Sequence, residues 1–179
     1  MRDRAWFLHL RVFLPVLSLW SGLGQTSSPA DAPSLEYKVK AAFLLNFTKF
    51  IEWPASQDTD AGAPFTICVL GENPFGPVLD QIIEGETVNG RKLAVRRIGP
   101  SEVKSCKVVY VARNEKNSPK IIEPGVLTVG EGDEFLREGG VISFVIENRR
   151  VRFDVNRAAA ARAGLTLSSK LLNVARSVD

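Results

Sequence analysis

The sequence predicts a single α/β domain on a mostly parallel β-sheet, with helices on both faces and a C-terminal antiparallel hairpin. Apolar runs of strand length, such as Phe65–Leu70 and Lys107–Ala112, alternate with helical segments, which is typical of a sheet buried on both faces. Two later runs, Val141–Ile146 and Arg150–Val155, flank the turn Glu147–Arg149, as in a hairpin. After the N-terminal leader about 150 residues remain, enough for one domain with one core.

The N-terminus has the pattern of a secretion signal. Three arginines lie around the start of an apolar run, Val12–Leu23, which is too short to span a bilayer comfortably. We expect residues 1–24 to be a cleaved signal peptide, residues 25–34 (QTSSPADAPS) a flexible leader and residues 35–179 an exported α/β domain. An uncleaved N-terminal anchor is the alternative.

Removing the signal limits the chemistry that the chain can perform. Cleavage after Gly24 and cleavage after Ala30 both fit, and either removes His9, the only histidine, so no Ser–His or Cys–His relay remains. No nucleotide-binding or nucleophile motif occurs, and no carboxylate spacing suits a metal. The net charge falls from +3 to about +1, which lacks the basic surface that nucleic acid needs. We expect no enzyme, cofactor, metal or nucleic-acid partner.

The first long helix is predicted over Leu35–Trp53, ended by Pro54. The residues expected on its buried face recur at three- and four-residue steps: Val39, Ala42, Phe43, Asn46, Phe47 and Phe50. After the strand Phe65–Leu70, Asn73 is expected to cap a helix over Pro74–Glu84.

Turn and cap residues predict the remaining elements. Asn89 and Gly90 predict a hairpin turn before the strand Leu93–Ile98. Asn156 is expected to cap an alanine-rich helix that Gly164 ends, and the last helix is expected over Ser168–Arg176. The other predicted elements are a loop over Ala55–Pro64, a helical turn from Ser101, a strand over Val126–Val129, and short helices over Pro119–Ile122 and Asp133–Glu138.

The two cysteines, Cys68 and Cys106, have 37 residues between them, which is neither a redox CxxC motif nor a zinc spacing. An even number of cysteines in an oxidising compartment favours a disulfide. Two buried free thiols are the alternative, because each cysteine lies beside an apolar strand.

Two groups of residues are candidate binding sites. Ligands bind outside the carboxyl ends of parallel strands, so the residues after three predicted strands are candidate ligand loops: Gly71, Glu72, Asn73, Arg113, Asn114, Gly130 and Glu131. The end of the first helix combines aromatic and charged residues, a candidate partner-binding surface: Lys49, Phe50, Glu52 and Trp53. The alternatives are ordinary turn chemistry for the loops and core-edge packing for the tryptophan.

Several separated blocks of the sequence are spread across nearly the whole mature chain: Glu36–Phe47, Phe50–Pro54, Cys68–Gly71, Gly139–Phe144 and Val155–Leu172. These blocks, in this order, resemble the bacterial YfiR family. The resemblance implies a periplasmic repressor that binds the periplasmic sensor domain of an inner-membrane diguanylate cyclase and lowers cyclic-di-GMP and biofilm formation. It also implies an outer-membrane lipoprotein that sequesters the repressor.

The resemblance also bears on the cysteines, because Cys68 and Cys106 match one cysteine pair of that family. A second pair near the C-terminal hairpin is missing here, which favours a structural bridge over a redox switch. The sequence is also compatible with a homodimer. The expected function is therefore regulatory protein binding, and the alternative is a periplasmic small-molecule binder that uses the candidate ligand loops.

Overall fold

The computed structural model describes residues 34–54, 62–113 and 123–179, which form a mixed α/β domain. The helices of this part are α1 Leu35–Phe50, α2 Val78–Ile83, a 3-10 helix Pro100–Ser105, α3 Asp133–Arg137, α4 Arg157–Arg162 and α5 Ser169–Val174. The strands are β1 Ile51–Glu52, β2 Phe65–Leu70, β3 Thr87–Val88, β4 Arg91–Ile98, β5 Val108–Val111, β6 Leu127–Glu131, β7 Ile142–Glu147, β8 Arg150–Val155, β9 Thr166–Leu167 and β10 Ser177–Val178. The predicted signal peptide, all of the leader but Ser34, the helix predicted at 119–122 and most of the loop predicted at 55–64 lie outside the described residues.

The main sheet has eight strands in the order β10-β8-β7-β6-β5-β2-β4-β3. Adjacent strands run parallel from β4 through β2, β5 and β6 to β7, which confirms the mostly parallel sheet. The pairs β7–β8 and β3–β4 are antiparallel. The chain leaves β2 for β4 on one side and then returns to β5 on the other side of β2, so β2 and β5 are neighbours whose connections diverge.

The sheet separates two apolar clusters. Along β2, Ile67 and Val69 belong to the larger cluster, which also contains the buried apolar side chains of α1, α2 and α4. Cys68 and Leu70 belong to the smaller cluster, with Val103 of the 3-10 helix. Cys68 forms a disulfide with Cys106 across this smaller cluster, with the two Cα atoms 6.0 Å apart, so the predicted bridge is present.

Helix α1 buries only part of its predicted face: Phe47 is buried and Phe43 packs against the core, but most of the buried residues are others. Its buried side chains are Lys40, Ala41, Leu44, Leu45, Phe47 and Thr48. Asn46 is exposed, and Phe50 is 37% exposed. Apolar residues occur on most sides of this helix, so their spacing does not single out one face. The helix also ends at Phe50 and not at Trp53, because Ile51 and Glu52 pair with β9.

Asn73 stabilises a turn and does not cap the predicted helix. Its side-chain oxygen accepts a hydrogen bond from the Phe75 amide at 3.1 Å, and its amide donates to the Gly76 carbonyl at 3.1 Å. Phe75 is fully buried and packs edge-on against Tyr110, with ring centroids 4.7 Å apart. Burial of this ring accompanies a turn over residues 74–77, and α2 begins only at Val78.

The structure confirms the predicted hairpin turn at Asn89 and Gly90 and the predicted helix cap at Asn156. Asn89 and Gly90 have φ of 50° and 76° and join β3 to β4, as a two-residue hairpin turn requires. The Asn156 side chain accepts a hydrogen bond from the Ala159 amide at 2.8 Å and caps α4, and Gly164 follows the helix with φ of 71°. These features depend on neighbouring residues only, so the sequence predicts them.

Gly140→Ala is expected to lower the free energy of unfolding by about 1–3 kcal/mol, because it overpacks the smaller cluster. A Cβ atom at Gly140 would lie 2.2 Å from the ring of buried Phe135, and one at Gly130 would press on the opposite edge of that ring at 2.6 Å. Urea denaturation measures the effect. Gly99→Ala is the control, because its Cβ would meet nothing closer than 3.9 Å, and it is expected to change stability by at most about 0.5 kcal/mol. Equal losses would contradict the packing argument.

Candidate functional site

The carboxyl ends of β2, β5 and β6 lie side by side at one edge of the sheet. Among the candidate ligand-loop residues, Glu72 follows β2, Arg113 follows β5 and Glu131 is the last residue of β6. Asn114 lies outside the described residues. Because the connections after β2 and β5 diverge, this edge is a topological switch point, where open α/β sheets form a crevice.

Glu131 is the centre of a buried charged network. Its side chain is 1% exposed. Oε1 accepts hydrogen bonds from Lys40 Nζ at 2.7 Å, from the Tyr37 hydroxyl at 3.3 Å and from the Tyr110 hydroxyl, and Oε2 accepts one from Arg113 at 2.7 Å. A buried carboxylate needs such donors to offset the loss of water, and this one has four.

Lys40 joins helix α1 to this edge of the sheet. Its side chain is 1% exposed, and its ammonium group pairs with Glu131 and with Glu36, one turn earlier in α1. The ammonium also lies 4.5 Å from the centroid of the Tyr37 ring. The first turns of α1 are therefore attached to the carboxyl end of β6 by the ion pair of Lys40 with Glu131 and by the hydrogen bond from Tyr37.

The protonation states follow from these contacts. Burial acts to raise the pKa of the Glu131 carboxyl, but hydrogen bonds from Lys40 and Tyr110 and the charges of Lys40 and Arg113 outweigh it, so the pKa lies below its usual value. Burial, aided by Glu131, raises the pKa of the Tyr110 and Tyr37 hydroxyls. At neutral pH Glu131 is ionised and both tyrosines are protonated, so each phenol can donate to Glu131 and still accept a hydrogen bond.

A cavity of about 250 Å³ opens beside this network, and we call it the switch-point cavity. It is lined by Tyr37, Glu72, Pro74, Tyr110, Ala112 and Arg113. Its volume is slightly below the range of about 300–1,000 Å³ typical of drug-sized ligand sites. The cavity combines one guanidinium, one carboxylate and two phenols, so it offers both donors and acceptors to a small polar ligand.

The other candidate loop residues have local structural roles. Gly71 has φ of 88°, which favours glycine after β2. The side chain of Asn73 is bonded within its own turn. Gly130 leaves room for the ring of Phe135. For these three residues the structure shows turn and packing contacts of the kind that the alternative interpretation described.

Three residues of the network were not among the candidates: Tyr37, Lys40 and Tyr110. Lys40 has no signal in the sequence, because lysine is rarely buried without a partner and its partner Glu131 is 91 residues away. A signal was present in Tyr110, which interrupts an apolar strand, because a buried phenol usually finds a hydrogen-bond partner. The sequence could have indicated a polar contact there, without identifying the acceptor.

The candidate partner-binding residues lie together at the end of α1. Lys49 and Glu52 are exposed and, with Trp53, line an open cavity of about 620 Å³ that faces the turn joining α2 to β3. Lys49 Nζ pairs with Glu86 across this cavity at 2.8 Å. Trp53 is half-buried; its Nε1 donates to the Lys107 carbonyl at 3.2 Å. We call Lys49, Phe50, Glu52 and Trp53 the α1-end surface.

The described ranges, 34–54, 62–113 and 123–179, contain neither a metal-binding cluster nor a helix suited to cross a membrane. Within them no group of three or more histidine, cysteine, aspartate or glutamate side chains is placed to hold a metal ion. No helix in the same ranges combines the length and apolar content that a membrane crossing needs.

The chain has low similarity to two solved structures. One is the crystal structure of a conserved domain protein from Vibrio cholerae O1 biovar El Tor, at 13% identity and a TM-score of 0.49. The other is the ABC domain in complex with L-Trp from Streptococcus pneumonia, at 11% identity and a TM-score of 0.48. Each match covers 80% of this chain, which spans only 60% of the other protein's length.

The comparison with curated proteins finds no match. A family model described as YfiR/HmsC-like matches residues 37–176. The match begins in the first turn of α1, includes both cysteines and the buried network, and ends just before β10. The chain therefore belongs to the YfiR/HmsC-like family.

Proposed function

We propose that this protein is a periplasmic regulatory binding protein that represses a membrane-bound signalling enzyme. The observation that carries the proposal is membership of the YfiR/HmsC-like family over residues 37–176. The proposed target is an inner-membrane diguanylate cyclase, bound at its periplasmic sensor domain, so that cyclic-di-GMP falls. An outer-membrane lipoprotein that competes for the repressor is proposed as the second partner.

The proposed mechanism is differential binding. A repressor shifts its target toward the inactive conformation only as far as it binds that conformation more tightly. An affinity ratio of about 100 between the two conformations corresponds to about 2.7 kcal/mol. Sequestration of the repressor would remove that free energy and release the enzyme.

The α1-end surface is the contact that we propose for the cyclase. Phe50 is 37% exposed, lies next to Lys49 and close to Glu52 in the chain, and offers an aromatic ring that a partner could bury. Trp53 holds this surface in place through its hydrogen bond to Lys107 and its edge-on contact with Phe65, whose ring centroid is 4.9 Å away. A surface that is already ordered loses less conformational entropy on binding.

Capture of the partner tests the proposal. The tagged protein, exported by its own host, is cross-linked gently, and the membrane fraction is analysed by mass spectrometry. We expect to recover an inner-membrane protein with a periplasmic sensor domain, and deletion of the gene is expected to raise cellular cyclic-di-GMP. Unchanged cyclic-di-GMP after deletion would overturn the cyclase as the target.

Phe50→Glu is expected to weaken binding to the captured partner by about 30-fold or more, as loss of an interface anchor worth about 2 kcal/mol does. Titration of the partner's sensor domain by calorimetry measures this. Ile146→Glu is the control, because Ile146 is also exposed (51%) but lies in the strand β7, outside the α1-end surface. If Phe50→Glu binds as tightly as Ile146→Glu, the interface lies elsewhere although the repressor function stands.

A further inference from the structure

We propose that the switch-point cavity binds a small organic carboxylate that also carries a hydroxyl or amine group. The inference rests on the cavity, its lining side chains and the network behind them, and it does not depend on the repressor function. It concerns Arg113, Glu72, Tyr37 and Tyr110, which line one cavity between the ends of β2 and β5.

Arg113 supplies the anion-binding group. A guanidinium has five N–H donors in a planar fork that matches a carboxylate, and the bond from Arg113 to Glu131 Oε2 at 2.7 Å occupies only part of that fork. The Arg113 side chain is 70% exposed although its partner Glu131 is 1% exposed. One side of the guanidinium is therefore anchored in the protein, and the rest remains accessible to a ligand.

The buried network explains why this arginine keeps its attraction for an anion. Lys40 already compensates the charge of Glu131 inside the protein, through a contact of 2.7 Å. Glu36, the second partner of Lys40, is partly exposed, so water screens its charge. Glu131 therefore orients Arg113, while Lys40 balances the charge of Glu131, so the positive charge of Arg113 remains available to a ligand. An oriented side chain also loses less entropy when it binds a ligand.

The remaining lining groups call for a donor on the ligand. The Glu72 carboxylate accepts hydrogen bonds only, and the Tyr37 and Tyr110 oxygens can accept one after donating to Glu131. A hydroxyl or amine meets that requirement. Glu72 also disfavours a ligand with several negative charges, so a monocarboxylate fits better than inorganic phosphate or citrate. The volume of about 250 Å³ restricts the ligand to a small molecule.

Thermal denaturation of the full exported protein tests the site with lactate and 4-hydroxybenzoate. We expect at least one of them to raise the melting temperature by roughly 3–6 °C at about ten times its Kd. Lactamide, 4-hydroxybenzamide and inorganic phosphate are expected to leave it unchanged. If neither carboxylate raises the melting temperature at tens of millimolar, or if the amides act equally, the proposal is wrong.

Substitutions assign the effect to the cavity. Arg113→Gln is expected to abolish the shift, and Arg113→Lys to reduce the affinity roughly tenfold because the fork is lost. Arg137→Gln, an exposed arginine of α3 that does not line the cavity, is expected to bind as the wild type does. If Arg113→Gln is too unstable to measure, Arg113→Lys provides the test, since it keeps the positive charge and loses only the planar fork. Unchanged affinity in Arg113→Gln, or in Arg113→Lys where Arg113→Gln cannot be measured, would overturn the site.

Discussion

Lys40→Met is expected to lower the free energy of unfolding by about 3 kcal/mol, because it removes the buried counter-charge of the Glu131 carboxylate and leaves only the largely exposed Arg113 to balance it. Removing one member of a buried ion pair typically costs 3–5 kcal/mol. The hydrogen bonds from Tyr37, Tyr110 and Arg113 remain, so we expect the lower end of that range. Urea denaturation followed by the fluorescence of Trp53 measures the change, since Trp53 is the only tryptophan after residue 24.

The same substitution in the same helix provides the control. Lys49 pairs with Glu86 at 2.8 Å, but both side chains are about 40% exposed, so Lys49→Met is expected to cost about 0.5 kcal/mol or less. Combining Lys40→Met with Glu131→Gln should restore part of the lost stability, because glutamine at position 131 carries no buried negative charge that would need Lys40 as its partner. Equal effects of Lys40→Met and Lys49→Met would contradict the structural role of the buried network.

Cys68→Ser is expected to lower the free energy of unfolding by roughly 2–4 kcal/mol under oxidising conditions. The disulfide to Cys106 closes a loop with a sequence separation of 38, and in the chain-entropy model its loss frees the unfolded chain. A further contribution comes from placing a hydroxyl in the smaller apolar cluster, where Cys68 is fully buried.

Denaturation with and without reductant separates these two contributions. Reductant is expected to destabilise the wild type and to leave Cys68→Ser unchanged, so the difference that remains in reductant measures the buried hydroxyl. Mass mapping of the oxidised wild type should recover Cys68 and Cys106 in one linked peptide pair. If it finds both thiols free, the expected loss of stability has no basis.

The sequence predicts the elements that depend on neighbouring residues. β2 has the predicted bounds, Phe65–Leu70, because a strand buried on both faces is a continuous apolar run. The Asn89-Gly90 turn and the Asn156 cap are also as predicted, since a turn needs positive φ and a helix N-terminus needs an acceptor. In each case the sequence signal lies in residues within a few positions of one another, although β2 itself pairs with the distant strands β4 and β5.

Predictions that depend on distant contacts were less accurate. The sequence predicts helix α1 as far as Trp53 because Pro54 is the helix breaker, but β9, more than 100 residues later, pairs with Ile51 and Glu52 and makes them a strand. Its buried face was also misjudged, since Lys40 becomes a buried residue only when Glu131 is beside it. Asparagine is a common helix cap, but Asn73 instead accepts a hydrogen bond from Phe75 within a turn, and the Phe75 side chain is buried.

The candidate site also combines features that the sequence predicts with features that only distant contacts create. The sequence by itself determined that polar residues lie where the apolar runs of β2, β5 and β6 end, and that a mostly parallel sheet places these ends at one edge. Only the tertiary structure decided that β2 and β5 are neighbours with diverging connections, and that α1 places Lys40 and Tyr37 against Glu131. The physical reason is that strand order and the pairing of buried charges are set by contacts between residues far apart in the chain, which local patterns do not encode.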